Sequence, residues 1–216
     1  RLRVIKRLRY LIAAQAQEIA EIVAQATARP VAEKLVSEVL PLVDACCWLE
    51  KNASRVLAPR RCGKMGRPLW LQGFCFEVQR QPFGTILVIA PGNYPLFLPS
   101  VQVLHALVAG NEVLLKPAPG TGEVAVMFAR LLASAGLDRA LLRVLPEGIE
   151  AAREAIASGV DKVVFTGKSE NGHDVLRQLA FKNIPSVMEL SGEDAVIIFA
   201  DANIDLVIRA LRFGLE

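Results

Sequence analysis

The sequence has no apolar stretch reaching roughly 18 residues before Pro, Gly or a charged residue interrupts it, so hydropathy offers no membrane-spanning helix. Histidine is scarce: His105 and His173 stand alone, and a zinc site built on histidine is not expected. The four cysteines, Cys46, Cys47, Cys62 and Cys75, show neither CxxC spacing nor a regular framework, and adjacent Cys46 and Cys47 do not readily bridge each other. Four reduced thiols and a cytoplasmic chain are therefore expected. Aromatic residues make up only 6%, too few for a base-stacking surface. The glycine fingerprint GxGxxG is missing; the only GxG is Gly120 with Gly122, after Lys116-Pro117. The basic opening (Arg1, Arg3, Lys6, Arg7, Arg9) is not followed by a continuous apolar run and small-residue cleavage site, so a signal peptide is not expected. The sequence also begins without Met, consistent with residues upstream.

What is present is apolar and evenly mixed. Of 216 residues, 53% are hydrophobic and 22% charged, enough for a sizeable core and too apolar for disorder. That length suits one large domain, or one domain with an appendage. The net charge of +3 is uneven: residues 1–81 hold 14 Lys/Arg against 7 Asp/Glu, and residues 82–216 hold 11 against 15. A basic half suggests nucleic acid. These charges, however, alternate with Leu, Ile and Ala at helical spacing, which reads better as a solvated helix face. No nucleic-acid or membrane partner is expected.

The texture changes near residue 82. Before it, Leu2 to about Ala28 repeats apolar residues every three or four positions, the pattern of an amphipathic helix. A second helix is expected from Pro30 towards Leu57, kinked at Pro41. Pro59 to Pro68 reads as a basic loop, and Leu69–Gln81 as a β-ribbon that serves as an oligomer contact or packs on its own domain. From Pro82 onward, short apolar strands alternate with helices: strands at Thr85–Ala90, Glu112–Leu115, Leu141–Leu145, Lys162–Phe165, Ser186–Leu190 and Ala195–Phe199, and helices at Tyr94–Ala109, Thr121–Ala135, Ile149–Ser158, Ser169–Ala180 and Asp201–Phe213. This alternation predicts an α/β fold: a Rossmann-like doubly wound parallel sheet with helices on both faces, over 82–216, preceded by N-terminal helices and a short ribbon over 1–81.

Such sheets bind ligands beyond the carboxyl ends of their strands. That rule selects Ala90-Pro91-Gly92-Asn93, Lys116-Pro117-Ala118-Pro119, Phe165-Thr166-Gly167 with Lys168 and Gly172, and Glu189-Leu190-Ser191-Gly192. Each has a plain reading beside a functional one. The Asn93 amide suits an oxyanion donor, yet Asn after Gly is also a common turn former. Lys116 faces the place of a nucleotide ribose or phosphate, or snorkels to solvent. The strand–turn–helix at Phe165–Gly172 suits a pyrophosphate, or holds two ordinary turn glycines. Glu189 ends an apolar segment whose desolvation suits a general base, or pairs with a nearby cation.

In their order along the chain these peptides resemble the aldehyde dehydrogenase family. The resemblance is carried by Pro82-Phe83-Gly84 running to Asn93-Tyr94-Pro95, by Ala109-Gly110-Asn111 running to Lys116-Pro117, by Phe165-Thr166-Gly167 through Gly172, by Glu189-Leu190-Ser191-Gly192, and by Asp201-Ala202-Asn203-Ile204-Asp205. It implies oxidation of an aldehyde to a carboxylate with NAD or NADP through a cysteine thioester. By motif position it implies that Asn93 holds the oxyanion and that Glu189 activates thiol or water. Lys116 would contact the ribose, and Gly167 to Gly172 the pyrophosphate. A small aldehyde substrate and a homo-oligomer are expected. A CoA-acylating reductase of the same superfamily and a non-catalytic dinucleotide-binding module are the alternatives.

Several residues depart from the family pattern. The family nucleophile lies some thirty-odd residues beyond the Glu, whereas this sequence ends at Glu216, 27 residues after Glu189, and all four cysteines precede the cofactor region. An inactive fragment is the expectation. Pro119 stands where NAD-preferring members often carry a Glu that bonds the adenosine 2′-hydroxyl, leaving NADP open. Lys168 replaces a common Ser, and Ser191 and Glu193 replace a Gly and a Lys.

Overall fold

The computed structural model describes residues 1–61, 68, 70, 74, 76–192 and 195–215. Cys62, Cys75 and Glu193 lie outside the described residues.

Five strands form one parallel sheet: β3 (Thr85–Ile89), β4 (Glu112–Lys116), β5 (Leu142–Val144), β6 (Lys162–Thr166) and β7 (Ser186–Glu189), in the order β5-β4-β3-β6-β7. The chain moves outward from β3 through β4 to β5, then returns across the sheet to β6 on the other side of β3. The order of strand addition therefore reverses between β3 and β6, while the strands stay parallel. Helices α5 (Phe97–Ala109) and α6 (Gly122–Ser134) make the first crossovers, α7 (Ile149–Ser158) and α8 (Ser169–Lys182) the later ones.

Side-chain alternation splits the strands between two cores. Ile86, Val88, Val113 and Leu115 face α5, α6 and the N-terminal helices. Leu87, Ile89, Leu114, Val163 and Phe165 face α7 and α8 through Ala152, Ala155, Ile156, Val175 and Leu179. Both faces are covered, which is why these strands read as continuous apolar runs. Each fully buried Leu, Ile, Val or Phe contributes about 1.5–3 kcal/mol.

The N-terminal helices belong to the first of these cores. The expected single helix is two, α1 (Leu2–Ala14) and α2 (Ala16–Thr27), broken at Gln15, whose φ of −111° and ψ of 19° leave the helical region. Pro30 is the residue before the next helix rather than its first: α3 spans Val31–Lys34. Pro41 stands in the first turn of the following helix, just after an irregular turn. Residues Leu35–Val39 form a π-turn, with Leu40 N–H bonded to Leu35 O, before α4 (Leu40–Leu57) begins. Lacking an N–H, Pro41 leaves a gap in the hydrogen-bond ladder that the wider turn absorbs. Helix α1 packs on α4 and α6, α2 on α6, and α4 on α5. The basic face of α1 is partly used internally: Arg1 Nη1 donates to Val108 O at the end of α5 (3.2 Å), and Arg9 Nε pairs with Glu50 at 2.6 Å. Cations at a helix carboxyl end offset its negative pole.

Two other expectations are corrected. Arg60–Arg61, read as loop, forms a short antiparallel strand β1 with β2 (Glu77–Val78), because backbone pairing does not require apolar side chains; described Phe74 and Phe76 lie outside any strand. Ala195–Phe199, read as a strand, is not one, and Val196, Ile197, Ile198 and Phe199 are exposed. The last helix, α9, runs over Ile204–Leu215, with Asn203 Oδ1 accepting the Leu206 N–H at 3.1 Å. Among the described residues, no helix is long and apolar enough to cross a membrane.

Candidate functional site

Parallel register aligns the strand tips. Ile89 lies opposite Lys116 on one side and Phe165 on the other, and Thr166 lies opposite Glu189. Just beyond these pairs the tips of β3, β4, β6 and β7 surround an open cleft at the point where the strand order reverses. Of the sequence-predicted residues, Ala90, Pro91, Gly92, Asn93, Lys116, Ala118, Pro119, Phe165, Thr166, Gly167, Lys168, Glu189 and Leu190 line it. Pro117 and Gly172 do not. Gly172 sits under the cleft instead: a Cβ there would run into Leu190 and approach Phe165, so its bareness lets α8 close on the sheet.

Asn93 is exposed in the turn between β3 and α5, and its Oδ1 accepts the Tyr94 N–H at 3.0 Å. The Nδ2 hydrogens have no protein partner among the described residues and are available to donate at the cleft that Asn93 lines. The turn is fixed from outside by an ion pair from the π-turn. Lys34 and Glu38 are 2% and 0% exposed, and lie 3.3 Å apart. Glu38 Oε2 accepts the N–H groups of Leu96 (2.8 Å) and Phe97 (3.1 Å), capping α5. Lys34 Nζ reaches Asn93 O at 3.5 Å and sits 5.1 Å from the centre of the Tyr94 ring.

Lys116 is buried, and that burial pulls its ammonium below the usual lysine range, while Glu147 pulls the other way. Lys168 is the residue before α8 and is exposed. Two of the backbone donors expected to be free at this turn are taken: Gly167 N–H bonds Glu189 O (3.0 Å) and Ser169 N–H bonds Ser191 Oγ (3.2 Å). The Glu170 and Asn171 amides remain without a protein acceptor among the described residues and form the positive end of α8. Glu189 is exposed, so the desolvation expected from its apolar segment is absent. Its Oε2 accepts from Thr166 Oγ1 at 3.3 Å, and Thr166 Oγ1 in turn accepts from Gln102 Nε2 at 2.9 Å. The carboxylate is thus held over the cleft by a short relay across β6 from α5.

An amide donor, a buried ammonium, a helix amino end and a carboxylate around one cleft suit an anionic nucleotide and a carbonyl undergoing addition. Comparison with known proteins points the same way. The sequence matches the aldehyde dehydrogenase family over residues 1–215. The chain belongs to that family. It is 31% identical over 197 residues to 4,4'-diapolycopene aldehyde oxidase of Methylomonas sp, spanning 91% of this chain and 37% of that protein. It is 32% identical over 212 residues to 3,6-anhydro-alpha-L-galactose dehydrogenase of Streptomyces coelicolor, spanning 96% and 41%. Among solved structures it superposes on substrate-bound AldH of Staphylococcus aureus with a TM-score of 0.86 at 27% identity, covering 99% of this chain and 46% of that one. PnpE in complex with nicotinamide adenine dinucleotide gives 0.85 at 25% identity, covering 96% and 42%. The chain spans about two fifths of the length of these two curated relatives.

Some of the aldehyde dehydrogenase motif residues are structural. Buried Asn111 ties two of the motifs together: its Oδ1 accepts from Phe83 N (2.7 Å) and Gly84 N (3.1 Å), and its Nδ2 donates to Ala106 O at 2.9 Å. Sequence reasoning missed Lys34, Glu38, Gln102 and Glu147. For the first three the groups they hold in the site (Asn93 O, the Leu96 and Phe97 amides, Thr166) are distant in sequence, and no local signal exists. Glu147 had one: it follows β5, whose tip lies beside that of β4.

Proposed function

We propose that this chain is the dinucleotide-binding part of an NAD(P)-dependent aldehyde dehydrogenase that oxidises an aldehyde to a carboxylate through a cysteine thioester. The reading is carried by one observation: the tips of β3, β4, β6 and β7 bring Asn93, Lys116, the α8 amino end and Glu189 to a single cleft. The fit to a nicotinamide dinucleotide rests on the donor set, a buried ammonium and unpaired helix amides for ribose and pyrophosphate. When bound, that cofactor accepts the hydride.

Asn93 Nδ2 donates to the oxyanion that forms as a thiolate adds to the aldehyde carbonyl, a contact typically worth about 10²–10³ in rate. Lys116 Nζ donates to the ribose hydroxyls. Glu189 takes the proton of the thiol or of the hydrolytic water, and Thr166 with Gln102 fixes its position. Cys46 and Cys47 lie on α4, outside the lining of the cleft, so the nucleophile is not one of them. Residues 82–216 act as the dinucleotide unit, and residues 1–81 flank it and supply a homo-oligomer contact in a cytoplasmic enzyme. The test is a pair of measurements on this chain: NAD or NADP binds with one site per chain, and adding an aldehyde yields no reduced cofactor. Aldehyde-dependent reduction by the chain alone, or no binding of either dinucleotide, contradicts the proposal.

A further inference from the structure

The tip of β5 also reaches the nucleotide region. Past Val144 the chain runs Leu145-Pro146-Glu147-Gly148, and Glu147 turns its carboxylate onto the loop that follows β4. Its Oε2 accepts the Gly120 N–H at 2.8 Å and its Oε1 the Gly122 N–H at 2.5 Å. These two bonds, with a smaller contribution from Lys116, hold the carboxyl below its usual range, so it is an anion at neutral pH. Each oxygen keeps a further lone pair.

Glu147, Lys116 and Pro119 line one cavity that extends between α7 and α8. Two other charged side chains line it, and both are engaged on their own helices: Arg153 with Glu150 at 2.7 Å and Asp174 with Arg177 at 2.8 Å. Lys116 and Glu147 are the charged side chains at the end of β4, the one ending that strand and the other bonded to the loop after it.

In doubly wound sheets the adenosine ribose is read near the end of the second strand, by an acid where its 2′-position is a hydroxyl and by a cation where it is a phosphate. Here the second strand, β4, ends in Lys116, and Pro119 brings no acid. An ammonium alone favours the phosphate. We propose that Glu147, reaching over from the neighbouring strand, supplies the missing carboxylate and makes this site prefer NAD to NADP. The inference rests on the dinucleotide reading above. A vicinal diol both accepts and donates hydrogen bonds, matching an ammonium and a carboxylate side by side. A 2′-phosphate monoester carries between one and two negative charges near pH 7, offers the carboxylate little to accept, and is repelled by it.

Calorimetric titration of the chain with NAD and with NADP tests this. The wild type binds NAD at least tenfold more tightly. Glu147→Gln, close in size and uncharged, narrows that ratio at least fivefold. Any loosening of the 117–122 loop weakens both dinucleotides alike, so the ratio remains the readout. Glu147→Ala and the half-ligands 5′-ADP and 2′,5′-ADP repeat the comparison independently. Equal affinities in the wild type, or a ratio untouched in both variants, overturns the assignment of Glu147 while dinucleotide binding stands. If neither dinucleotide binds the folded wild type, the dinucleotide reading fails, and this inference fails with it.

Discussion

Replacing Glu38 by Ala tests how the Asn93 turn is held. The substitution removes a fully buried carboxylate, leaves the Lys34 ammonium (2% exposed) with only Glu33 at 3.6 Å and Asn93 O at 3.5 Å, and strands the N–H groups of Leu96 and Phe97. Breaking a buried ion pair from one side costs about 3–5 kcal/mol, because the surviving charge stays buried. An unmet buried N–H adds about 1–3 kcal/mol, reduced where water reaches it. A loss of about 4 kcal/mol is the working figure, a large share of the roughly 5–15 kcal/mol that holds a domain together. For a chain of this size that corresponds to a Tm lower by about 10 °C or more. The control is Lys34→Met with Glu38→Gln, which removes both charges, fills the space and keeps an acceptor for the α5 amides. Replacing a buried pair by matched neutral groups is often close to neutral, so the double variant is expected within about 1.5 kcal/mol of wild type. Urea unfolding followed by circular dichroism measures all three proteins. A Glu38→Ala protein within 1 kcal/mol of wild type, or a double variant no better than the single one, refutes the reasoning.

Three further outcomes follow from the same structure. Gly84 has φ +122°, and a Cβ there would run into the Asp161 carboxylate that accepts the Thr85 N–H at 2.7 Å; Gly84→Ala should lower stability by about 1–3 kcal/mol, and an unchanged urea midpoint contradicts this. The His105 residue is exposed to solvent, and partial cover of its ring lowers its pKa below the usual histidine value of 6.5, so below that pH the unfolded chain binds a proton that the native chain resists, a small effect. The stability tied to His105 is present above pH 6.5 and lost as pH falls; wild type should weaken from pH 7.5 to 5.5 more than His105→Phe does, and parallel pH profiles argue against it. Burial pushes the Cys46 thiol up to about 12, so iodoacetamide at pH 8 should spare Cys46 in the native chain and modify it in urea, as read by peptide mass mapping.

The central sheet was legible because each strand is an apolar run closed by Pro, Gly or a polar tip, and because parallel strands buried on both faces need no alternation. The four strand-end peptides followed from the same pattern, and parallel register is what set them around one cleft. The failures share a cause. The sequence pattern starts α5 at Tyr94, but the helix begins at Phe97, its first amides capped by Glu38, 58 residues upstream of Leu96, and no local pattern announces that. Lys34 and Glu38 look like an ordinary surface pair four residues apart until the Pro41-linked π-turn buries them. Gln15 breaks the first helix without Gly or Pro to signal it. The Ala195–Phe199 run has the composition of a strand, yet it takes no strand partner among the described residues, and composition alone does not make a strand.

The most direct test of the central claim is a ¹⁵N-labelled sample of the chain titrated with NAD and followed by amide chemical shifts. The account predicts shifts concentrated at 90–93, 116–122, 147–148, 165–172 and 189–191, with α1 and α2 unmoved. Shifts centred on the N-terminal helices, or none at saturating NAD, would contradict it.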